Sequence, residues 1–338
     1  MGIKIRGIGG YLPPIEVTNA MFERLVDTSD AWITSRTGIK TRHLSDGEPT
    51  WSMAAAAARK ALEHAGAEAS EVDAILVSSV TPDYHTPSTS CILQAELGAE
   101  HAFCLDFNVA CSGFVYGYDL AVRYLCDPDI RNVLIVCSER LSGITDYTDR
   151  STCVLFGDGA GAMLIGKEGD TDGVDWRNRV AKLSHLGAEG KLGHTIISRA
   201  VYHGHPFQTQ PDDQSGRYGT DESLFLRMEG QEVYRFAVRV LVDAVRQVLD
   251  QNELTLDDIT WIVPHQANDR ILEASARRLG IEPDRMISYI ADIGNTSSAT
   301  IPLCLDRMVK EGRLQRGDRV ILCGFGGGLT YGAALLEY

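Results

Sequence analysis

Three pairs of segments in this chain match one another at a single spacing, and that spacing restricts the folds open to it. Asp73–Ser78 resembles Thr260–His265, Asn108–Ser112 resembles Asn295–Ala299, and Asn132–Cys137 resembles Arg319–Cys323. Ser78 and His265, Cys111 and Ser298, and Val133 and Val320 each stand 187 positions apart. A fourth pair, Gly159–Leu164 and Tyr331–Leu336, fits more loosely. Three matches at one offset indicate a duplicated unit. Within each copy, apolar runs rich in Val, Ile and Leu read as buried strands. Amphipathic helices are expected at Ser52–Ala65, Gly113–Cys126, Gln231–Gln251, Asp269–Leu279 and Ala299–Glu311. The expected fold is α/β, with two duplicated βα halves, 1–170 and 171–338, stacked around one core. Strand ends and helix starts of both halves should meet at a central site. The stretch Gly169–Gly219 stands outside the repeat and carries a loop signal at Pro211–Gly216.

Composition narrows the function classes. The chain has 338 residues and a net charge of -14, which argues against non-specific nucleic-acid binding. No apolar run approaches membrane-spanning length, and the start has no apolar leader segment. Arg6 stands where myristoylation would need Ser or Thr. The eight cysteines show no CxxC or Cys/His zinc spacing, so neither a metal nor a disulfide framework is expected. These features fit a reducing cytoplasm.

Most of the cysteines sit in apolar runs and read as small buried hydrophobes. Cys111 differs, because it lies where an apolar stretch gives way to Ser112-Gly113 and a helical pattern begins. A helix N-terminus there would favour thiolate over thiol. Ser298, its mate in the repeat, has no thiol, so the first half supplies the nucleophile. Three other segments belong with it: Val263-Pro264-His265-Gln266-Ala267-Asn268, Gly294-Asn295-Thr296-Ser297-Ser298-Ala299, and Gly324-Phe325-Gly326-Gly327-Gly328. Taken singly, His265 reads equally as a core hydrogen-bonder and Asn295 as a turn residue. The glycines lack the Lys-Ser/Thr of a phosphate loop. Together, Cys, His, Asn and a glycine-rich oxyanion site suffice for acyl transfer through a thioester.

These segments resemble the β-ketoacyl-acyl-carrier-protein synthase III family of thiolase-fold condensing enzymes. The resemblance also rests on Asp27-Thr28-Ser29-Asp30-Ala31-Trp32 with Arg36-Thr37-Gly38-Ile39, and on Phe156-Gly157-Asp158-Gly159-Ala160-Gly161. All six motifs occur in the family's order. The resemblance implies a layered αβαβα core and an acyltransferase that starts fatty acid synthesis. Cys111 would take the acyl group of an acyl-coenzyme A, and His265 and Asn295 would stabilise the enolate formed when malonyl-acyl-carrier protein loses carbon dioxide. The N–H groups of Cys111 and Gly327 would form the oxyanion hole. No metal or redox cofactor is implied. Trp32 and Arg36 match positions that sandwich the adenine, Thr28 and Arg150 positions near the phosphates, and Asn268 a position lining the pantetheine tunnel.

An acidic carrier protein must meet a basic patch on this acidic chain. Arg270, Arg277 and Arg278 share one face of a helix, and Arg235 matches a further carrier contact in the family. A solvated helix face is the plainer reading. The acyl-pocket position before Pro87-Ser88 holds Thr86, where many acetyl-selective members have Phe, so longer or branched starters are expected. In the family this residue reaches across a homodimer interface. Gly169–Gly219 reads as longer than usual and contains His185, His194, His203 and His205, at spacings that give little reason to expect a metal. Rival readings are acyl transfer to oxygen or nitrogen without decarboxylation, a hydroxymethylglutaryl-type synthase, and a non-catalytic acyl-coenzyme A binder.

Overall fold

The computed structural model describes residues 2–167, 182–200 and 224–338. His203, His205 and the turn at Pro211–Gly216 lie outside the described residues. Nine strands build two sheets: β1 (Ile3–Tyr11), β2 (Ala74–Ser78), β3 (Phe103–Phe107), β4 (Asn132–Glu139), β5 (Gly159–Lys167), β6 (Ser184–Ala188), β7 (Trp261–Pro264), β8 (Arg319–Gly326) and β9 (Thr330–Glu337). The first sheet has the order β1-β5-β4-β2-β3 and the second β7-β8-β9-β6. In the first, β2 runs parallel to β3 and β4, and β5 runs antiparallel to β4 and β1. In the second, β7 is parallel to β8, and β9 is antiparallel to β8 and β6. Placing β2 on β7, β4 on β8, β5 on β9 and β1 on β6 therefore reproduces both order and direction. The counterpart of β3 shrinks to a single parallel bridge between Ile262 and Met286.

Seven helices complete the layers: α1 (Asp30–Thr37), α2 (Thr50–Ala65), α3 (Thr89–Leu97), α4 (Gly113–Tyr124), α5 (Gly230–Gln251), α6 (Asp269–Leu279) and α7 (Thr300–Lys310). Helix α2 packs on the outer face of the first sheet, and α5 with α6 on the outer face of the second. Helices α4 and α7 lie between the sheets and touch both, which gives the αβαβα stack. The central layer is the driest part. Phe114, Tyr118, Ile301, Leu305 and Met308 from the two middle helices meet Val133, Ile135, Val320 and Leu322 from the sheets in one buried cluster. Each such side chain contributes about 1.5–3 kcal/mol relative to exposure. On the outside, α5 buries Val233, Phe236, Ala237, Val240, Leu241, Ala244 and Val248, the i, i+3, i+4 stripe of an amphipathic helix.

All five expected helices are present, and several of their ends differ by a few residues. Helix α2 begins at Thr50 because Asp83, far along the chain, accepts hydrogen bonds from the Thr50 and Trp51 N–H groups. Helix α4 stops at Tyr124, after which Cys126 bonds back three residues to Arg123. Helix α7 begins after a 3₁₀ turn at Ser297–Ala299 rather than at Ala299 itself. Among the described residues no helix is long and apolar enough to cross a membrane.

Helix α4 can approach β2 only through Gly113. A Cβ there would lie 2.0 Å from Ser78 Oγ and 2.8 Å from Ser298 Cβ. Gly113→Ala is expected to destabilise the chain by about 1–3 kcal/mol through overpacking. A lowered thermal unfolding midpoint checks this; an unchanged midpoint would contradict the packing described.

Candidate active site

Two matching elbows meet between the sheets. In the first half, β3 leads through Asn108 to a 3₁₀ turn at Ala110–Ser112 and then into α4. In the second, Asn295 leads to the 3₁₀ turn at Ser297–Ala299 and into α7. Ala110 and Ser297 occupy equivalent positions in the repeat and both are left-handed, with φ of 48° and 50°. A non-glycine residue there carries roughly 1–2 kcal/mol of strain. The first elbow is held by Asn108 Oδ1, which accepts the Ala110 N–H at 3.1 Å, and by Thr330, whose hydroxyl donates to the Val109 carbonyl at 2.9 Å. The glycine-rich end of β8 closes over it. A Cβ on Gly326 would fall 2.5 Å from the Cys111 nitrogen, so only glycine lets this strand reach the elbow. Gly327 follows against Ala110.

Cys111 sits where the helix pattern placed it, but its thiol is not predisposed to ionise. The residue keeps some exposure, yet its sulfur is enclosed. Burial pushes the thiol up to about 12, partly offset by a hydrogen bond with Ser297, while the nearby Glu139 carboxylate pushes the same way as burial. The expectation of a thiolate at rest is therefore corrected: desolvation outweighs what the helix start offers. Cys111 Sγ donates to Ser297 Oγ at 3.5 Å.

His265 follows β7 directly. Its N–H donates to the Cys323 carbonyl at 2.8 Å, and its ring meets Phe325 edge-on at 5.4 Å. Only 1% of the residue is exposed, and burial pushes the imidazole down to about 3, so it is neutral at pH 7. Nδ1 lies 2.7 Å from Thr300 Oγ1, which is 3.0 Å from the Ser297 carbonyl. Gln266 fixes the turn beyond, donating to the Pro264 and Ile287 carbonyls and accepting the Tyr289 N–H. Asn295 is clamped by its backbone between Leu155 and Gly157. Its Oδ1 accepts the Ser297 N–H at 2.9 Å, which leaves the Nδ2 amide as the free donor.

Ser297 thus touches all three expected residues: its N–H meets Asn295, its hydroxyl meets Cys111, and its carbonyl anchors Thr300 beside His265. Sequence reasoning assigned it no role. Glu139 was also missed, although a carboxylate ending the apolar run Val133–Cys137 was a signal. It is fully buried at the end of β4. Its carboxylate accepts from Ser298 Oγ at 2.7 Å, and from the Val80 N–H and the Thr81 hydroxyl, both at 3.0 Å.

The remaining expected residues lie outside this centre. Trp32, on α1, is stacked by Arg150, whose guanidinium lies 5.0 Å from the ring centroid and donates to the Asp27 carbonyl at 2.8 Å. Arg36, expected to sandwich a base with Trp32, is exposed in the last turn of α1; Arg150 is the residue over the ring. The Thr28 hydroxyl is buried without a partner. Asn268 caps α6 by accepting the Arg270 N–H, and its Nδ2 donates to the Arg36 carbonyl. Arg270, Arg277 and Arg278 are all exposed on α6, with Ile271, Leu272 and Leu279 buried beneath. Arg246, which was not singled out, donates to the Arg278 carbonyl. Arg235 is exposed and pairs with Glu232 at 3.4 Å. Thr86 is exposed in the single chain. His185 packs against Tyr331, and His194 contacts the Lys191 carbonyl. Among the described residues no group of three His, Cys, Asp or Glu could hold a metal ion.

Comparison with known proteins agrees with the fold. Residues 105–182 match the family described as 3-oxoacyl-[acyl-carrier-protein (ACP)] synthase III, and residues 249–338 its C-terminal part. A β-ketoacyl-[acyl-carrier-protein] synthase III of Clostridium beijerinckii is 42% identical over 336 residues, 99% of each chain. One from Oceanobacillus iheyensis is 44% identical over 340 residues, covering 100% of this chain and 99% of its own. The crystal structure of the Aquifex aeolicus synthase III superposes with a TM-score of 0.88 at 38% identity, covering both chains fully. The priming β-ketosynthase of the R1128 polyketide pathway gives 0.86 at 35% identity, covering 99% of this chain and 96% of its own. Fold and site together define a thiolase-fold condensing enzyme, an acyltransferase. Within that class the chain belongs to the β-ketoacyl-acyl-carrier-protein synthase III family, which serves fatty acid biosynthesis.

The burial of His265 has a signed consequence. Its ordinary pKa of 6.5 falls to about 3 in the folded chain. Between those values the unfolded state binds more protons, so His265 removes stability as pH falls from 6.5 toward 3 and has no effect on stability above that window. Its imidazole NMR signals are expected to stay at neutral-ring positions down to pH 5. Titration near 6.5 in the folded protein would contradict this.

Proposed function

We propose that this enzyme condenses an acyl-coenzyme A starter with malonyl-acyl-carrier protein, releasing coenzyme A and carbon dioxide, by way of an acyl group carried on Cys111. The observation that carries this reading is the Ser297 turn, which gathers Cys111, His265 and Asn295 into one buried cluster. Cys111 attacks the acyl thioester while the N–H groups of Cys111 and Gly327 receive the oxyanion. The malonyl thioester then enters, and its carbonyl oxygen meets Asn295 Nδ2 and His265 Nε2 as carbon dioxide leaves. Both are uncharged donors, which suits a dry site that must stabilise an enolate. For Nε2 to carry the proton, the single Thr300 hydroxyl proton must turn from the Ser297 carbonyl, 3.0 Å away, to His265 Nδ1, 2.7 Å away. The enolate carbon attacks the acyl-cysteine, and the Cys111 sulfur leaves. The reaction needs no metal or redox group.

Coenzyme A fits the face formed by Thr28, Trp32, Arg36, Arg150 and Asn268. The Trp32–Arg150 stack, more than Arg36, offers a flat π surface with a cation for the adenine. Arg270, Arg277 and Arg278 face solvent on one helix and suit an acidic carrier protein, with Arg235 as a further contact. A homodimer is supported by β3, an edge strand carrying an exposed Phe103. Thr86 is then available to enter the partner's acyl pocket. Eight free thiols suit a reducing cytoplasm.

Intact-protein mass spectrometry with a panel of acyl-coenzyme A starters tests the reading. Cys111 is expected to gain the acyl mass, Cys111→Ala to gain none, and malonyl-carrier protein to discharge it with release of carbon dioxide. Discharge to an alcohol or amine without malonyl would favour the acyl-transfer rival instead. His265→Ala and Asn295→Ala should still acylate but lose about 10²–10³-fold in condensation. With Thr86 in the pocket, starters beyond acetyl should react; turnover of acetyl alone would count against its role.

Charge reversal at Arg270, Arg277 and Arg278 should raise KM for malonyl-carrier protein about tenfold and flatten its salt dependence, leaving acylation by acyl-coenzyme A intact. An unchanged KM would return this helix to a simple solvated face.

A further inference from the structure

Arg42 is a fully buried cation with no carboxylate among its partners in the described residues. It lies on the short strand Thr41–Leu44, which pairs antiparallel with Ile15–Thr18. Its Nε has no hydrogen-bond partner at all. A charge taken out of water among neutral groups is unfavourable, and the Phe22 ring, 4.6 Å from the guanidinium carbon, offsets only part of that. The roles described above give no reason for a cation here. Its hydrogen bonds do, because they run to two different parts of the site.

The first arm is Nη1, which donates to Asn19 Oδ1 at 2.9 Å and to the Val17 carbonyl at 3.2 Å. Asn19 Nδ2 donates in turn to Asp30 Oδ1 at 2.9 Å, Thr34 Oγ1 at 3.2 Å and the Ile39 carbonyl at 2.7 Å. Asp30 opens α1 and Ile39 follows its end, so Asn19 grips both ends of the helix that carries Trp32 and Arg36. The second arm is Nη2, which donates to the Val154 carbonyl at 2.6 Å. The next three residues hold Asn295: the Leu155 carbonyl accepts its N–H and the Gly157 N–H donates to its carbonyl, both at 3.0 Å, with Phe156 bridged to it in parallel. The Arg42 stem underlies this clamp. A Cβ on Gly157 would lie 3.1 Å from Arg42 Cβ, and one on Gly294, the residue before Asn295, 3.0 Å from it. A planar guanidinium offers five N–H donors in a fixed fork, which a lysine ammonium does not.

We infer that Arg42 is a positioning residue for both half-reactions: through Asn19 it sets the helix that receives the nucleotide of coenzyme A, and through Val154 it sets Asn295 for the enolate. This rests on the coenzyme A and Asn295 roles proposed above. The two arms bear on different substrates. A malonyl group delivered by a carrier protein brings no adenine, so α1 matters to acylation alone. Asn295 meets the malonyl thioester, so the Val154 arm matters to condensation. Arg42 acts only through these neighbours, and its charge is retained because one fork must hold a helix on one side and a strand end on the other.

Rapid-quench mass spectrometry separates the two arms. One series reads Cys111 acylation against acyl-coenzyme A concentration; the other reads discharge of preloaded acyl-Cys111 by malonyl-carrier protein. Asn19→Ser cuts only the α1 arm. It should raise the acyl-coenzyme A concentration for half-maximal acylation about tenfold and leave the discharge rate as in wild type. Arg42→Lys should show the same rise and also slow discharge about tenfold, with KM for malonyl-carrier protein unchanged. Arg42→Met keeps the stem without the fork and should repeat this pattern if the lysine disturbs folding, while Asn19→Ser reads the first arm whatever the Arg42 variants do. Added to Asn295→Ala, Arg42→Lys should slow discharge no further, because its effect passes through Asn295. Slowed discharge or unchanged acylation in Asn19→Ser would overturn the inference, as would wild-type discharge in the Arg42 variants. Losses that multiply in the double variant would overturn it too, since they mark a merely structural residue. If wild type neither acylates nor discharges, the proposed function falls and this inference with it; if wild type does both and the variants show no such split, only the inference falls.

Discussion

The hydrogen bond from Ser298 to Glu139 crosses the pseudo-symmetry of the molecule, and the site is organised around it. It ties the second elbow to the end of a strand in the first sheet at a point where no solvent competes. Once that elbow is fixed, Ser297 has one orientation. Its N–H turns Asn295, its carbonyl sets Thr300 beside His265, and its hydroxyl meets Cys111. Groups from three separate parts of the chain are thereby placed by one short turn. Hydrogen bonds to charged groups stabilise by about 1.5–3 kcal/mol, and leaving such a partner unpaired costs comparably. A loosened Ser298 would therefore be felt at every reacting residue.

Much of this fold is legible in the sequence because duplication leaves a signature that burial reinforces. The 187-residue spacing sets β2 on β7 and β4 on β8, and starts α4 and α7 at equivalent positions, Gly113 and Thr300. Apolar strands bracketed by amphipathic helices then leave few arrangements other than sheets with a shared helical layer. Helix ends were less readable. The start of α2 depends on Asp83, and a cap supplied across more than thirty positions has no local pattern.

The site was legible in its residue types but less so in their states. Cys111, His265 and Asn295 stand out by motif. The protonation of the thiol does not, because it depends on how tightly two halves close over one sulfur. The residue stacked on Trp32 was not legible for a related reason: Arg36 is near in sequence, whereas Arg150 reaches the ring through the tertiary fold. Glu139 escaped attention because a lone acidic residue at a strand end reads as a boundary until its surroundings are known. The residues without a sequence signal are those whose role is to hold another residue.

The unequal elbows have a consequence for durability toward oxidants. Duplication presents the second half with the same nucleophile-bearing turn as the first, yet hydroxyls occupy it. Ser298 holds the position that matches Cys111, and its neighbour Ser297 places its Oγ 3.5 Å from Cys111 Sγ. A thiol in its place would face the Cys111 thiol directly, and a disulfide is what facing thiols form on oxidation. Two facing thiols would turn the enzyme's own nucleophile into a trap, closed by mild oxidation. Keeping oxygen on one side lets a single sulfur work alone, and the only oxidants it must then resist come from outside the protein.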